Sequence, residues 1–480
     1  MKHSKTVLFI CSLMVFLLGC DEDFLEKTPP GEIPEEGFFN SAERAEQGVN
    51  AIYATLLETD LYSNTLSKLY DPPSGDAILS NTSGTNFNDF TYSATDNDLF
   101  NVYKRLYEGI YRANVAIAEI PEVEMDGALK ARYIGEAKFL RAFYYWHLTS
   151  LWGDVPLFTQ PFEVPSDALV AKSSREEIYA VMIQDLLDAA ADGVLPASYS
   201  SGEVGRATQG AAQALLGKVY LYNENYEGAE EWLNKVIASG TYDLVNDYGD
   251  IVNINSENDI ESIFEIQFVE IGQDDVGTLR VSYNNPQVNG GFGNTLPTQS
   301  IVDEFEASDS RLSRSIFIDG EIFAPDLTTP NQNLDTYQSI WSATGYNLKK
   351  GLFPVSYVNN GGINFPAIRY ADVLLMYSEA ANELGMLIEA RNTLNLVRQR
   401  VEMPLLTAVD TGTMETMFDA IVHERRVELA FEFHRFNDLR RWGLAAQELG
   451  GIGYTERHRY YPLPQIEIDT NDKLEQRAGW

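Results

Sequence analysis

The chain has 480 residues, 44% of them hydrophobic and 12% aromatic, enough to bury a large core as one big domain or two closely packed lobes. Its formal net charge of -36 repels nucleic acid and anionic membrane surfaces, which excludes DNA and RNA as partners. Both cysteines, Cys11 and Cys20, lie at the extreme N-terminus, which excludes a disulfide framework or a cysteine metal site in the folded body.

In chain order, Lys2 and Lys5 precede a compact apolar run, Thr6 to Leu18. A run this short does not span a bilayer, which takes roughly 20 apolar residues, so residues 1–19 read as a secretory signal. Leu17-Leu18-Gly19-Cys20 resembles a bacterial lipobox, implying cleavage before Cys20 and lipidation of its thiol; an ordinary signal peptide with an incidental cysteine is the other reading. Residues 20–37, with Pro29, Pro30 and Pro34, read as an extended tether onto a body spanning 38–480.

A first helix is expected from Ser41 to Glu58. Asp60 to Asp96 is polar and punctuated by Pro72-Pro73 and Ser74-Gly75, and is expected to be a long functional loop without structure. Leu99, Tyr103, Leu106, Ile110 and Ile117 stripe a helix over Asp98–Ile120, stopped by Pro121; Arg132 to Trp152 is its partner. Ser174 and Glu177 form a capping box before Ile178–Ala191. Between Thr208 and Ser239, the offsets of Leu216, Gly217, Tyr220, Ala229 and Leu233 match a tetratricopeptide hairpin turning at Asn223–Asn225. Such a repeat buries its face only against neighbours, so about four hairpins are expected to stack as a scaffold over 38–240 and 369–443.

From 241 to 368 the pattern changes to an irregular, loop-rich α/β insertion, with a strand at Ser262–Val269 and breaks at Asn284-Asn285-Pro286 and Asn289-Gly290-Gly291. The fold class is therefore mostly α, with this insertion on a helical scaffold and a C-terminal extension at 444–480. Near the end, Glu428, Glu432, Arg435, Asp438 and Arg441 recur at three- and four-residue steps among apolar residues. Glu428 and Asp438 are expected to pair with Arg425, Arg435 and Arg441 as structural ion pairs.

No catalytic constellation emerges. His423-Glu424 lacks the second zincin histidine, no phosphate-binding or nucleophile-elbow motif is present, and carboxylate pairs are uninformative among 71 acidic residues. No cofactor or metal is implied. Flat rings interleaved with Asn and Asp suit a sugar, whose C–H face stacks while its hydroxyls take hydrogen bonds. Chosen by that character, the candidate ligand-binding residues are Tyr70, Phe87 and Tyr92 in the first loop and Tyr283, Trp341 and Tyr346 in the insertion. Tyr62, Phe292 and Tyr337 share that setting.

Three motifs carry a family resemblance: RYADVLLMYSEAAN at Arg369–Asn382, LNLVRQR at Leu394–Arg400, and ERRVELAFEFHRFNDLRRW at Glu424–Trp442. With YYPLPQIEID at Tyr460–Asp469 and the closing KLEQRAGW, they resemble the SusD/RagB family of outer-membrane nutrient-uptake lipoproteins. Arg477, Ala478 and Trp480 depart from the family's usual ending. The resemblance implies a non-catalytic protein, lipid-anchored to the outer membrane and facing outward. It implies capture of a nutrient, an oligosaccharide foremost, and transfer to a SusC-like TonB-dependent transporter. A tetratricopeptide scaffold that binds a protein or peptide on the envelope is the alternative; a glycoside hydrolase lacks a recognisable site.

Overall fold

Polar caps and apolar stripes set the helical scaffold. The structure, a computed structural model, describes residues 37–80, 87–269, 277–322, 336–351 and 361–480. The signal segment, Cys20 and the tether up to residue 36 lie outside the described residues.

The first six scaffold helices are α1 (Ala42–Thr55), α2 (Asn97–Glu119), α3 (Gly127–Trp152), α4 (Arg175–Ala189), α5 (Gln209–Tyr222) and α6 (Tyr226–Ala238). After the insertion come α7 (Tyr370–Glu383), α8 (Leu387–Arg400), α9 (Met414–Glu428) and α10 (Arg435–Arg441). Their starts are chemically specified. Ser41, Asp96, Asp126, Thr208 and Asn225 each accept a backbone N–H of the first turn, and Ser174 with Glu177 closes the expected capping box. α3 begins a turn earlier than its stripe suggests because Asp126 caps it.

Each helix from α1 to α6 packs on the next; α6 then packs on α7 across the insertion, and α7 on α8 and α9. The small residues make this possible. A Cβ built on Gly217 of α5 would stand 2.6 Å from Leu233 Cγ of α6, so the two axes approach only because nothing is there. α3 is buried on nearly every face from Glu136 to Trp152 because α2 and α4 flank it.

The insertion is held by three two-stranded antiparallel ribbons. β1 (Ala77–Leu79) pairs with β3 (Thr295–Pro297), β2 (Ser262–Ile266) with β6 (Phe365–Arg369), and β4 (Ile316–Phe317) with β5 (Asn347–Leu348). A small second core of Ala77, Ile301, Phe305, Ile316, Leu348, Val427, Ala430 and Phe431 pins β1, β3 and β4–β5 to the end of α9.

Three sequence expectations change. The stretch 60–96 is not structureless: it carries short helical turns at Thr65–Tyr70 and Pro72–Ser74 and contributes β1 to the insertion. The strand at Ser262 ends at Ile266 rather than Val269, where pairing with β6 runs out. The charged helix also breaks between α9 and α10, where Phe431 (φ 64°) and Phe433 (φ 68°) take left-handed backbone. Glu428 and Asp438 therefore lie on different helices rather than one face.

Candidate functional site: a ribbon-held aromatic loop face

The charged interior fixes where the loops sit. Arg369, at the junction of β6 and α7, reaches Glu428 at 2.8 Å and Glu432 at 2.6 Å, and Glu428 also receives Arg400 and Arg311. Burial pushes the Glu428 carboxyl up, but the Arg400, Arg369 and Arg311 guanidiniums win and hold it well below the usual carboxylate range. Asp438 joins Arg425 at 2.9 Å and Arg441 at 2.9 Å, which bring it down to about 2 against its burial. Arg441 also pairs with Glu379 of α7, so α7, α9 and α10 are tied together. Arg435 corrects the expectation: its ion pair is with Glu448 at 3.6 Å, and the break before α10 turns it away from Glu428. The partners of Glu428 come from outside its own helix, at positions no helical spacing indicates.

The rings of the first loop are core, not binding surface. Tyr70 is 2% exposed, Phe87 0% and Tyr92 4%. Tyr70 stacks on Phe433 with ring centroids 5.3 Å apart and hydrogen-bonds His147 Nδ1 at 3.0 Å. Phe87 and Tyr92 pack on each other and on Tyr461, and Tyr92 also stacks on Trp480. Tyr62 and Tyr337 are buried likewise. These rings fill the space between the loop and the scaffold, a destination that composition cannot distinguish from a sugar platform.

The insertion rings fare differently. Phe292 is 54% exposed, with the half-buried Tyr283 ring 5.4 Å beneath it. Backbone bonds from Phe292 N to Ser282 O and from Asn294 N to Tyr283 O hold the two segments together. Ser80 donates to Gly293 O and Asn88 accepts from Leu79 N, so the first loop reaches this face through its polar residues. β5 lies beside β3 and places the half-buried Tyr346 on the neighbouring ribbon, where its hydroxyl donates to Gln299 at 2.7 Å. Trp341 is half-buried against Tyr337, with ring centroids 5.4 Å apart, beside Ile340, which is 85% exposed. The structure thus sets Tyr283, on the short helix Arg280–Asn284, against Phe292 in the loop leading into β3, and puts Tyr346 immediately before β5, beside β3. Buried Asn347 Nδ2 makes no hydrogen bond there.

Sequence spacing missed a second aromatic surface. Tyr103, Tyr107 and Tyr111 recur every four residues along α2 and, with Phe158 and Phe162, line an open groove of about 220 Å³. Phe162 stacks on Tyr111 at 5.5 Å and meets Phe158 edge-on at 4.9 Å. Of these rings only Tyr103 falls on the core stripe read from the sequence, and the loop 156–169 that completes the groove has no periodic signal.

Comparison with known proteins decides the family. A model described as the SusD family matches residues 260–480, and one described as "Starch-binding associating with outer membrane" matches residues 23–221. The chain belongs to the SusD family. It is 26% identical to "SusD-like protein P25" of Formosa agariphila over 99% of this chain and 98% of that one. Among solved structures, a SusD superfamily protein from Bacteroides vulgatus superposes with a TM-score of 0.80 at 28% identity, covering 92% of this chain and all of that one. A "Laminarin binding SusD-like protein" superposes with a TM-score of 0.78 at 29% identity, again over 92% and 100%.

The residues Arg369, Arg398, Arg400, Glu424, Arg425, Glu428, Asp438 and Arg441, all within the segment matched by the SusD family model, engage in ion pairs between segments, as do Asp372, Glu379, Arg426 and Glu432. The SusD-type scaffold is mostly α with tetratricopeptide-like packing, as the neighbours show. Among the described residues, no helix is long and apolar enough to cross a membrane.

Proposed function

We propose that this SusD-family protein captures an oligosaccharide on the insertion face and passes it to a SusC-like TonB-dependent barrel, without breaking a bond in the ligand. The observation that carries the reading is the exposed Phe292 ring against Tyr283, with the Gln287 amide donating to the Phe292 backbone, in the loop leading into β3, the strand that neighbours Tyr346 and β5. An exposed ring with hydrogen-bonding groups at its edge matches the two faces of a pyranose. The laminarin-binding relative is consistent with a glucan among the ligands. Lipidation at Cys20 and an outward orientation complete the proposal. A tether of some 17 residues confines the protein beside its partner and raises the effective concentration of each for the other. Delivery is then a hinge motion between lid and barrel.

Calorimetric titration of a glycan panel, laminarin oligosaccharides included, tests this. Phe292→Ala and Tyr346→Ala are each expected to weaken the bound glycan about tenfold, equivalent to about 1.4 kcal/mol, with unchanged melting temperature. Binding that survives both changes but is lost in Phe162→Ala would move the site to the α2 groove. Flat responses to every glycan, with the barrel still copurifying, would favour a protein- or peptide-binding scaffold.

A further inference from the structure

Among the described residues most interior arginines are matched with carboxylates, including Arg441 at the edge of one small cavity, but three other arginines around that cavity are not. Arg311, Arg369, Arg400 and Arg425 each contact at least two carboxylates. Arg175, Arg440 and Arg459 have no carboxylate within 4.0 Å among the described residues, in a chain that carries 71 acidic residues against 35 basic ones. Their acceptors are neutral. Arg440 is 5% exposed and donates to the backbone oxygens of Phe436 and Arg459 and to the Asn437 side chain. Arg175 Nη1 donates to the Tyr460 hydroxyl at 3.0 Å. Arg440 is taken out of water, and a buried cation is ordinarily matched by an anion; with half-buried Arg175 and exposed Arg459 beside it and no carboxylate in contact with any of them, the three leave a local positive field. That field is visible on Tyr460. Burial pushes its hydroxyl up, yet Arg175, Arg440 and Arg459 together bring it below the ordinary tyrosine range.

The three guanidiniums line one small cavity, open to the surface between α3, α4, α10 and the 459–460 segment. Its volume is about 30 Å³. A water takes about 10–15 Å³ on this measure and benzene occupies a cavity of about 150 Å³, so the space admits an oxyanion head group and no sugar ring. Ser150 Oγ, buried in the wall, makes no hydrogen bond. Its hydroxyl is a further donor.

We infer that the cavity ringed by Arg175, Arg440 and Arg459 is a binding site for an oxyanion, either a free inorganic ion or the sulfate or carboxylate substituent of a glycan. Guanidiniums hold oxyanions through paired N–H donors, and Arg459, exposed at the mouth, closes over what Arg440 receives at the floor. The site shares no residue with the insertion face, so it stands or falls independently of glycan capture there.

The test is calorimetric titration of the full chain with sodium sulfate at constant ionic strength, repeated with glucose 6-sulfate and with glucose. Saturable sulfate binding with Kd on the order of 1 mM or tighter is expected. It should weaken about tenfold or more in Arg459→Gln and in Arg175→Gln, the loss of one charge-assisted hydrogen bond. Arg314→Gln removes the same charge from an exposed arginine paired with Asp247 and should leave it unchanged. Equal affinity for sulfate and glucose 6-sulfate identifies a free-ion site; tighter binding of the sugar sulfate identifies a glycan substituent. No saturable sulfate binding, or an equal loss in Arg314→Gln, overturns the inference. Phe292→Ala should not move it.

Discussion

Glu428 shows what one buried charge is worth in this molecule. It is 0% exposed and accepts from Arg311, Arg369 and Arg400, so removing its charge takes one carboxylate from three guanidiniums at once. Breaking one side of such a pair costs roughly 3–5 kcal/mol. Glu428→Gln is expected to lower the unfolding free energy from urea titration by that much or prevent folding, and Asp438→Ala should do the same through Arg425 and Arg441. Either variant unfolding at the parental midpoint would show that the network relaxes onto water. His147 carries a second prediction. Burial, then the Lys218 charge, holds its imidazole down at about 3, between the hydroxyls of Tyr62 at 2.8 Å and Tyr70 at 3.0 Å. The unfolded chain takes up a proton near pH 6.5 that the native state refuses until about 3. The stability His147 contributes is therefore full above pH 6.5 and falls with pH, by about 1.4 kcal/mol per unit. Asp71 and Glu257, pushed up to about 7 chiefly by burial, give the opposite slope, so the total hides the effect. The difference between parent and His147→Gln isolates it: the variant's deficit at pH 7.5 should shrink steadily at pH 6 and 5. A deficit independent of pH would mean that the fold does not change the proton affinity of His147.

At the scale of elements, the α5–α6 hairpin shows that close approach outweighs helix propensity. Gly217→Ala gains about 1 kcal/mol of propensity in an isolated helix. Here the new methyl group meets Leu233 Cγ at 2.6 Å and the Leu233 backbone nitrogen at 3.3 Å. Overpacking of that kind typically costs about 1–3 kcal/mol, so a net loss is expected in thermal denaturation, and a stabilised variant would show that α6 slides away freely. Elements of this sort were legible because caps and periodicity are local: Ser174 with Glu177, and Thr208 through Asn225, announce both the helices and their turns. The insertion was not legible for the converse reason. β1 and β3 pair Ile78 with Leu296 across more than two hundred residues, and strands of two or three residues carry no detectable alternation. Ring destinations were hidden in the same way. Tyr92 and Phe292 both sit in polar, turn-rich sequence, yet one stacks on Trp480 in the core and the other stands in solvent.

Taken whole, the molecule keeps its charge on the outside. Arg311, Arg369, Arg425, Lys218 and Lys350 of the core sit against buried carboxylates and cancel locally, Arg440 being an exception. Such pairs add nothing to the net charge of -36, whose like charges oppose compactness through self-repulsion. Salt acts unequally on these two populations. Between 10 and 150 mM ionic strength the Debye length falls from about 30 Å to about 8 Å, which screens exposed charges but barely touches desolvated pairs. The melting temperature of the parent protein is thus expected to rise with sodium chloride over that range. The deficit of Glu428→Gln relative to the parent should stay constant, because the contacts it removes are out of reach of the ions. Differential scanning calorimetry of both proteins at several salt concentrations reads both expectations in one series. A parent that melts lower in salt would mean that surface ion pairs, not the buried network, hold the SusD scaffold together. A deficit that shrinks with salt would place water and ions at Glu428 itself.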